Sequence, residues 1–395
     1  MAPTTADVVV IGAGIVGAAC AHALTVAGLR VAVVDRGGVA GGTTSAGEGN
    51  ILVSDKGPGA ELELALLSAA RWRALADELG EDALEYEPKG GVVVARRAAT
   101  LGALRELGAA QRAAGVTVEP VDRAGLATLE PNLTRDVAGG AWYPQDAQVQ
   151  PMLATAALLR RAREAGAMIH LGTSVTAIER DAGGEVTGVR TDAADEPAIS
   201  APFVINAAGT WAGEVAALAG APIPVLPRRG FILVTEPLPR VVRHKVYTAE
   251  YVANVASSEA ALETSVVIEG TRGGTVLIGA SRERVGFDRT MSLRVVRRLA
   301  AQAVGLFPFL ADVSLLRTYL GFRPYCPDHL PIIGEDPRVP GLVHACGHEG
   351  AGIGLAAATA ELLTQHLTDR EPDLDLSPFR PDRFDDATLA DTVPA

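Results

Sequence analysis

Apolar positions recur along this chain in two alternating textures. Asp7–Ile11 reads DVVVI, a β-rich run with no polar alternation, and a glycine-rich turn, Gly12-Ala13-Gly14-Ile15-Val16-Gly17, follows it. A helical spacing of apolar residues then runs to Gly28, and a second β-rich run, Leu29–Val34, ends at Asp35. Gly59–Leu79 places Leu62, Leu66, Trp72, Leu75 and Leu79 near the 3.6-residue repeat and predicts a long helix. A strand is predicted over Glu87–Arg96 around the turn Pro88-Lys89-Gly90-Gly91, then helices around Leu101–Ala114 and Asp122–Leu129. Pro131 and Pro144 set off a short strand, Gly140–Tyr143, and Pro151 starts a helix, Met152–Ala165, that Gly166 stops. Ala167–Leu171 and Ser174–Arg180 read as paired β segments, with Glu185–Thr191 continuing the meander. Phe203–Asn206 is a short apolar strand that ends in Ala207-Ala208-Gly209-Thr210-Trp211.

From Ile223 the texture changes. Pro222, Pro224 and Pro227 mark a boundary, and the strands Phe231–Val234, Val266–Glu269 and Thr275–Gly279 are joined by turns such as Gly273-Gly274. That is the grammar of an antiparallel sheet. A helix, Leu293–Val304, closes this stretch, and the first texture resumes with a strand at Leu342–Ala345. The pattern predicts an α/β fold, α+β overall. Residues 1–81, 149–223 and 319–384 form a discontinuous Rossmann-like nucleotide domain. Residues 82–148 and 224–318 are inserted as a second, mostly antiparallel domain, and 385–395 is an acidic tail expected to fray.

The strand–GxGxxG–helix–strand–acid order is the context that a dinucleotide fingerprint requires. Gly12 permits the tight turn, Gly14 lets backbone approach a pyrophosphate, and Gly17 lets the helix pack on the strand. Asp35 would bind ribose hydroxyls. The fingerprint alone allows NAD or FAD. Gly41-Gly42-Thr43-Thr44-Ser45-Ala46-Gly47 follows with no new strand and offers small hydroxyl residues for a second phosphate or a flavin, or else a plain surface loop.

Composition narrows the classes. The chain has 395 residues, 48% of them hydrophobic, enough for two domains with cores of their own. A net charge of −12 argues against nucleic acid as a partner. The apolar run Val8–Leu29 contains His22 and the fingerprint glycines, which argues against a membrane span. The N-terminus MAPTTAD lacks a cationic leader region. Cys20, Cys326 and Cys346 have no metal-ligand spacing, so no metal site is expected and the cytoplasm is the natural compartment.

The stretch 321–355 carries the second chemical signal. Arg323 lies between Phe322 and Pro324, and the glycine-rich turn Gly347–Gly354 runs into an Ala/Leu-rich helix. A cation in apolar surroundings next to a helix N-terminus can hold anionic atoms. The alternative for Arg323 is a structural ion pair with an acid such as Asp328.

The chain resembles the FAD-dependent D-amino-acid oxidase superfamily, the glycine oxidase or DAO type, over nearly its whole length. The motifs are VVVIGAGIVGAACAHAL, VINAAGTWAG, PRRGFILVTE, GTVLIGASRERVGFD, GFRPYCPDHLPIIG and GHEGAGIGLAAATAELL, in family order. GEGNILVSDKGPG and GHEGAGIGL carry a narrower resemblance to the flavin β-subunit of hydroxyproline/proline dehydrogenases, opine oxidases and hydrogen cyanide synthase. The resemblance implies that Gly12, Gly14, Ile15, Val16, Gly17, Asp35 and Arg36 hold the ADP half of FAD. Thr43, Thr44 and Ser45 would lie near the pyrophosphate and flavin, Val175 at the adenine end, and Ala207, Gly209 and Trp211 along the cofactor. Gly321, Gly347, His348, Gly350, Ala351, Gly352 and Ile353 would line the flavin, and Arg323 would bind the substrate carboxylate. Two departures stand out. The family usually has Glu where this chain has Asp35, and no tyrosine aligns with the one that helps bind substrate in glycine oxidases, whose strand Val266–Glu269 occupies.

The implied activity is oxidation of the C–N bond of a small amino or imino acid, such as a D-amino acid, proline, hydroxyproline, sarcosine or glycine. A hydride would pass to flavin N5 and leave an imine. Other readings on the same fold are hydroxy-acid or glycerol-phosphate oxidation, or an electron-relay flavoprotein subunit. Arginine suits the carboxylate because its planar fork binds bidentately and stays charged. His348 would stack near the flavin, sense protonation, or simply pack. Tyr251, Tyr247 and Tyr325 are pocket candidates or core residues, and no general base is evident. Cys326 does not match the place of the flavin-linking cysteine of some sarcosine oxidases, so FAD is expected to be non-covalent. Of the lysines Lys56, Lys89 and Lys245, none falls in a motif over the flavin ring where it could activate oxygen. This favours a dehydrogenase that passes electrons to an iron–sulfur or second flavin subunit.

Overall fold

A computed structural model describes residues 4–195, 197–255, 257–385 and 388–389, with side chains left aside at 253–255. Of the tail, residues 386–387 and 390–395 lie outside the described residues. The run Val8–Ile11 is apolar at every position because both its faces are buried. It sits inside a six-stranded sheet in the order Ile332–Glu335, Leu342–Cys346, Phe203–Asn206, Val8–Ile11, Val31–Asp35, Met168–Leu171. Every pairing is parallel except that of Ile332–Glu335 with Leu342–Cys346. Val8, Val10, Val31 and Val33 face a core shared with the helices Ile15–Val26, Ala60–Leu79, Pro151–Glu164 and Gly352–Leu367. Val9, Ile11, Ala32 and Val34 face the other way, against Ile178, Val189 and Ile199. Those three belong to a four-stranded sheet ordered Thr4–Thr5, Ala198–Ser200, Val186–Thr191, Val175–Arg180.

One expected pairing is not formed. Met168–Leu171 pairs in parallel with Val31–Asp35, whereas Val175–Arg180 pairs with Val186–Thr191. Gly172 takes a left-handed φ of +66°, and the Thr173 N–H donates to Asp35 O at 2.9 Å. The chain thus changes layers within a three-residue turn. Alternation in the sequence tells which side chains share a face, but not which strand is the neighbour.

The second body is an eight-stranded sheet ordered Leu315–Tyr325, Leu226–Thr235, Val276–Arg282, Glu263–Gly270, Lys245–Thr248, Gly91–Ala95, Gly139–Tyr143, Glu119–Val121. Its pairings are antiparallel apart from Lys245–Thr248 with Gly91–Ala95. The helix Leu293–Leu306 buries Val295, Leu299, Ala303 and Leu306 on one face, against Phe231, Leu233, Ile268 and Ile278. Strands at Lys245–Thr248 and Leu315–Tyr325, and a helix at Ala249–Val255, were not expected from the sequence. Among the described residues no helix is long and apolar enough to cross a membrane.

The helix Ala60–Leu79 pins the last helix in place. Trp72 is fully buried and its indole N–H donates to Ile353 O at 2.9 Å. The Ser68 hydroxyl donates to Gly354 O at 2.5 Å and accepts from the Ala358 N–H at 3.1 Å. Trp72→Ala is expected to cost about 3–5 kcal/mol of stability, the range for truncating a buried aromatic side chain. Chemical denaturation of the cofactor-free protein checks this, and a loss below about 1 kcal/mol would contradict the packing described.

Candidate functional site

A cleft of about 530 Å³ runs between the parallel sheet and the eight-stranded sheet. At one end, Gly12 adopts φ +119°, and a Cβ there would lie 2.4 Å from Ala207 O. A Cβ on Gly17 would lie 1.9 Å from Gly12 O, so both glycines are required by backbone contact. A Cβ on Gly14 would meet only Thr44 Oγ1, at 3.2 Å, and this glycine borders open cleft. Gly14 is also the N-cap of the helix Ile15–Val26, which has no side-chain cap and no acid in its first turn. The positive end of the helix dipole therefore borders the cleft with no acid in its own first turn. The Ile15 N–H donates to Thr44 Oγ1 at 3.1 Å.

Asp35 ends its strand at the cleft wall. Its carboxylate accepts from the Ala13 N–H and from the Gly37 N–H, each at 2.7 Å. It orders the glycine turn and keeps lone pairs for a ligand. The Arg36 guanidinium lies 4.4 Å over the Trp211 ring, and both residues line the cleft, as do Val16, Val175, Ala207 and Gly209. Thr43 donates to Phe322 O at 2.6 Å, a bond that ties the hydroxyl segment to the strand carrying Arg323.

At the other end stands Arg323, in register with Arg228 on the strand Leu226–Thr235. Its Nη1 donates to Ser281 O at 2.8 Å. Glycines make room for it, since a Cβ on Gly230 would fall 2.2 Å from Nη1 and one on Gly350 3.5 Å from Nε. Gly321 also lines the cleft. The acid that might have paired with Arg323 is taken, because Asp328 is bridged by Arg383 at 2.6 Å. Burial pulls the Arg323 guanidinium below its ordinary range, Arg282 adds to this, and Tyr251, Glu349 and Glu48 oppose it.

His348 lines the cleft but is buried, and its Nε2 lies 3.0 Å from Thr359 Oγ1. Burial pushes its pKa down to about 3, so the ring is neutral across the physiological range. Gly350, Gly352 and Ile353 border the same space, at the start of the helix Gly352–Leu367, whose N-cap Ala351 offers no side-chain bond. Glu349 lines the cleft as well and holds Arg228 at 2.6 Å and His329 at 2.9 Å.

Of the tyrosines, Tyr251 lines the cleft, and burial raises its phenol pKa. Tyr247 instead contacts Ser54, which also contacts Asp146, and Tyr325 packs under Arg228 and Arg284. Neither lines the cleft, and of the other expected residues Gly17, Ser45, Gly347 and Ala351 do not line it either. Ser45 borders a neighbouring hollow with Met152 and Tyr319.

The sequence reading passed over Glu48, Asn50 and Ile232, which complete the wall near Arg323. A signal was present, since Glu48 is a lone acid between two glycines ahead of an apolar run. None of the three lysines lines the cleft, and Lys245 Nζ lies 3.8 Å behind Glu48 Oε2. Lys56 pairs with Asp55 at 2.7 Å, Lys89 with Glu87 at 3.4 Å, and Lys245 with Glu269.

Over residues 7–366 the chain matches the family described as FAD dependent oxidoreductase. It is 32% identical to hydrogen cyanide synthase subunit HcnC of Pseudomonas aeruginosa, over 99% of this chain and 99% of that protein. The crystal structure of glycine oxidase from Geobacillus kaustophilus superposes with a TM-score of 0.86 at 27% identity, covering 97% of this chain and 100% of the other. Iminodiacetate oxidase from Chelativorans sp. BNC1 superposes with a TM-score of 0.80 at 27% identity, covering 95% and 98%.

Proposed function

The chain belongs to the family of FAD dependent oxidoreductases, and from that premise we propose that it oxidises the C–N bond of a small amino or imino acid to an imine. The observation that carries this reading is a half-buried arginine facing the inner end of a dinucleotide-type cleft. The relatives support it, since the names of two of them specify a primary amino acid, glycine, and a secondary one, iminodiacetate.

The residues fit FAD. The side-chain-free surface of Gly14, the start of the helix Ile15–Val26 and the Asp35 carboxylate would take the pyrophosphate and ribose. Gly350, Gly352 and Ile353, at the start of a second helix, would place partial positive charge at the flavin end. FAD supplies the electron acceptor for the carbon that bears the nitrogen. Non-covalent binding agrees with the cysteines. Cys346 is the cleft-lining one, and burial raises its pKa and that of Cys326, and pushes that of Cys20 to about 12, which leaves no thiolate to attack a ring.

Arg323 fixes the substrate carboxylate. Its position is set by the strand pairing and the Ser281 carbonyl, so little orientation remains to be lost on binding. The neutral His348 adds packing rather than charge. The chain acts as the flavin subunit of an assembly whose partner, an iron–sulfur or second flavin subunit, takes the electrons onward. Two observations support this: the curated relative is itself a subunit by name, and each lysine is held by an acid, Lys56 by Asp55, Lys89 by Glu87 and Lys245 by Glu269.

Arg323→Ala should leave FAD bound while weakening amino-acid-dependent bleaching of the flavin by roughly 30-fold or more in apparent affinity, as for a truncated charge pair worth about 2 kcal/mol or above. Anaerobic titration against a panel of D- and L-amino acids, proline, sarcosine and glycine reads this. Absence of bleaching in the wild type would sink the reading in favour of an electron relay. Slow reoxidation by air of the reduced chain is expected for the subunit reading, and fast turnover of the isolated chain with oxygen alone would contradict it.

A further inference from the structure

Glu48 is a buried charge that binding of FAD and a carboxylate leaves unused. It lines the cleft with Arg323, Tyr251 and Asn50, and it is 7% exposed. Only one of its oxygens is engaged. Oε2 accepts from the Asn50 amide at 3.2 Å and lies 3.8 Å from Lys245 Nζ, while Oε1 has no hydrogen-bond partner among the described residues. Lys245 cannot neutralise it fully, because its ammonium is in direct contact with Glu269. The next cation, Lys89, is held by Gly270 O at 2.5 Å and by Glu87 at 3.4 Å. Two buried carboxylates, Glu48 and Glu269, therefore share one ammonium. Burial raises the Glu48 pKa, and Lys245 and Arg323 oppose that. A buried carboxylate oxygen without a donor costs free energy that an incoming cation or N–H group recovers.

Its placement is specific. A Cβ on Gly279 would lie 2.7 Å from Glu48 Oε1, so the absence of a side chain at 279 keeps room for this carboxylate. Arg323 Nη1 is bonded to Ser281 O on the same strand, Val276–Arg282. The two charges thus lie against one strand, Glu48 beside Gly279 and Arg323 beside Ser281. Both line the same cleft, and an α-amino acid carries its nitrogen two bonds from the carboxylate carbon, so one molecule offers a partner to each.

Resting on the reading that Arg323 takes a substrate carboxylate, we infer that Glu48 Oε1 receives the substrate nitrogen, so that the cleft selects a small α-amino or α-imino acid carrying a positive nitrogen. Arg323 and Glu48 form the two poles of a site for a zwitterion. A carboxylic acid without nitrogen satisfies only one pole and leaves Oε1 unpaired, which is how the site rejects it. Tyr251, buried between aromatic and charged neighbours, lines the same space.

The test uses the flavin-loaded protein and two isosteric ligands that lack an α-hydrogen, 2-aminoisobutyrate and pivalate, which differ in an ammonium against a methyl group. Perturbation of the flavin spectrum gives each dissociation constant. The wild type should prefer 2-aminoisobutyrate. Glu48→Gln should weaken that ligand by roughly tenfold or more, the value of a hydrogen bond to a charged group, and leave pivalate unchanged or tighter. Glu48→Asp should restore part of the preference, which a purely structural role would not do. Arg323→Ala should weaken both ligands. Equal loss of both ligands in Glu48→Gln, or no loss of 2-aminoisobutyrate, overturns the role of Glu48 while leaving the amino-acid reading intact. A wild type that binds neither ligand and is bleached by no amino acid overturns both.

Discussion

Arg323 is half-buried at the inner end of the cleft, and its neighbours are arranged to tolerate a partly desolvated charge. Burying a guanidinium costs free energy unless its N–H groups find acceptors and its charge finds compensation. The Ser281 carbonyl supplies one acceptor, and Glu48 and Glu349 supply opposing potential without forming a closed ion pair among the described residues. The rest of the wall follows from this. Gly230 and Gly350 leave the volume the guanidinium needs, and Asp328 is drawn off to Arg383. The arginine is consequently held in place and still has donors to offer.

The same logic links the two sheets. Strand pairing carries Arg323 to the cleft on the eight-stranded sheet, while the parallel sheet supplies two helix starts that border it. The Thr43 hydroxyl bond to Phe322 O joins the glycine-rich segment of one body to the arginine strand of the other. A dinucleotide in the cleft would therefore lie in contact with both bodies, and its reactive end would meet the site for the carboxylate. Trp72 and Ser68 hold the last helix at Ile353 and Gly354, which fixes the floor beneath that end.

Legibility in the sequence followed the range of the interactions. DVVVI, its glycine turn and Asp35 were readable because they belong to one strand–turn–helix–strand unit, a helix packed on its own strand and an acid accepting from Ala13 and Gly37. Arg323 stood out through its apolar neighbours and the adjoining glycine turn. The strand Leu315–Tyr325 that carries it did not, since its outer half is exposed and its apolar pattern is weak. The pairing expected between Ala167–Leu171 and Ser174–Arg180 failed because alternation specifies faces and not partners. Tyr247 and Tyr325 could not be separated from Tyr251 by sequence, because the difference lies in whether Ser54, Arg228 or open cleft happens to be adjacent. Glu48 acquires meaning only beside Lys245, Glu269 and Gly279, which arrive from distant strands.

The central claim is that a small amino acid, held by its carboxylate and nitrogen, loses hydrogen from the carbon between them. Rapid anaerobic mixing of the flavin-loaded protein with a saturating amino acid substrate deuterated at the α-carbon tests it most directly. The account predicts that flavin bleaching slows several-fold relative to the protiated substrate. An unchanged bleaching rate, with deuterium retained in the product, would contradict it.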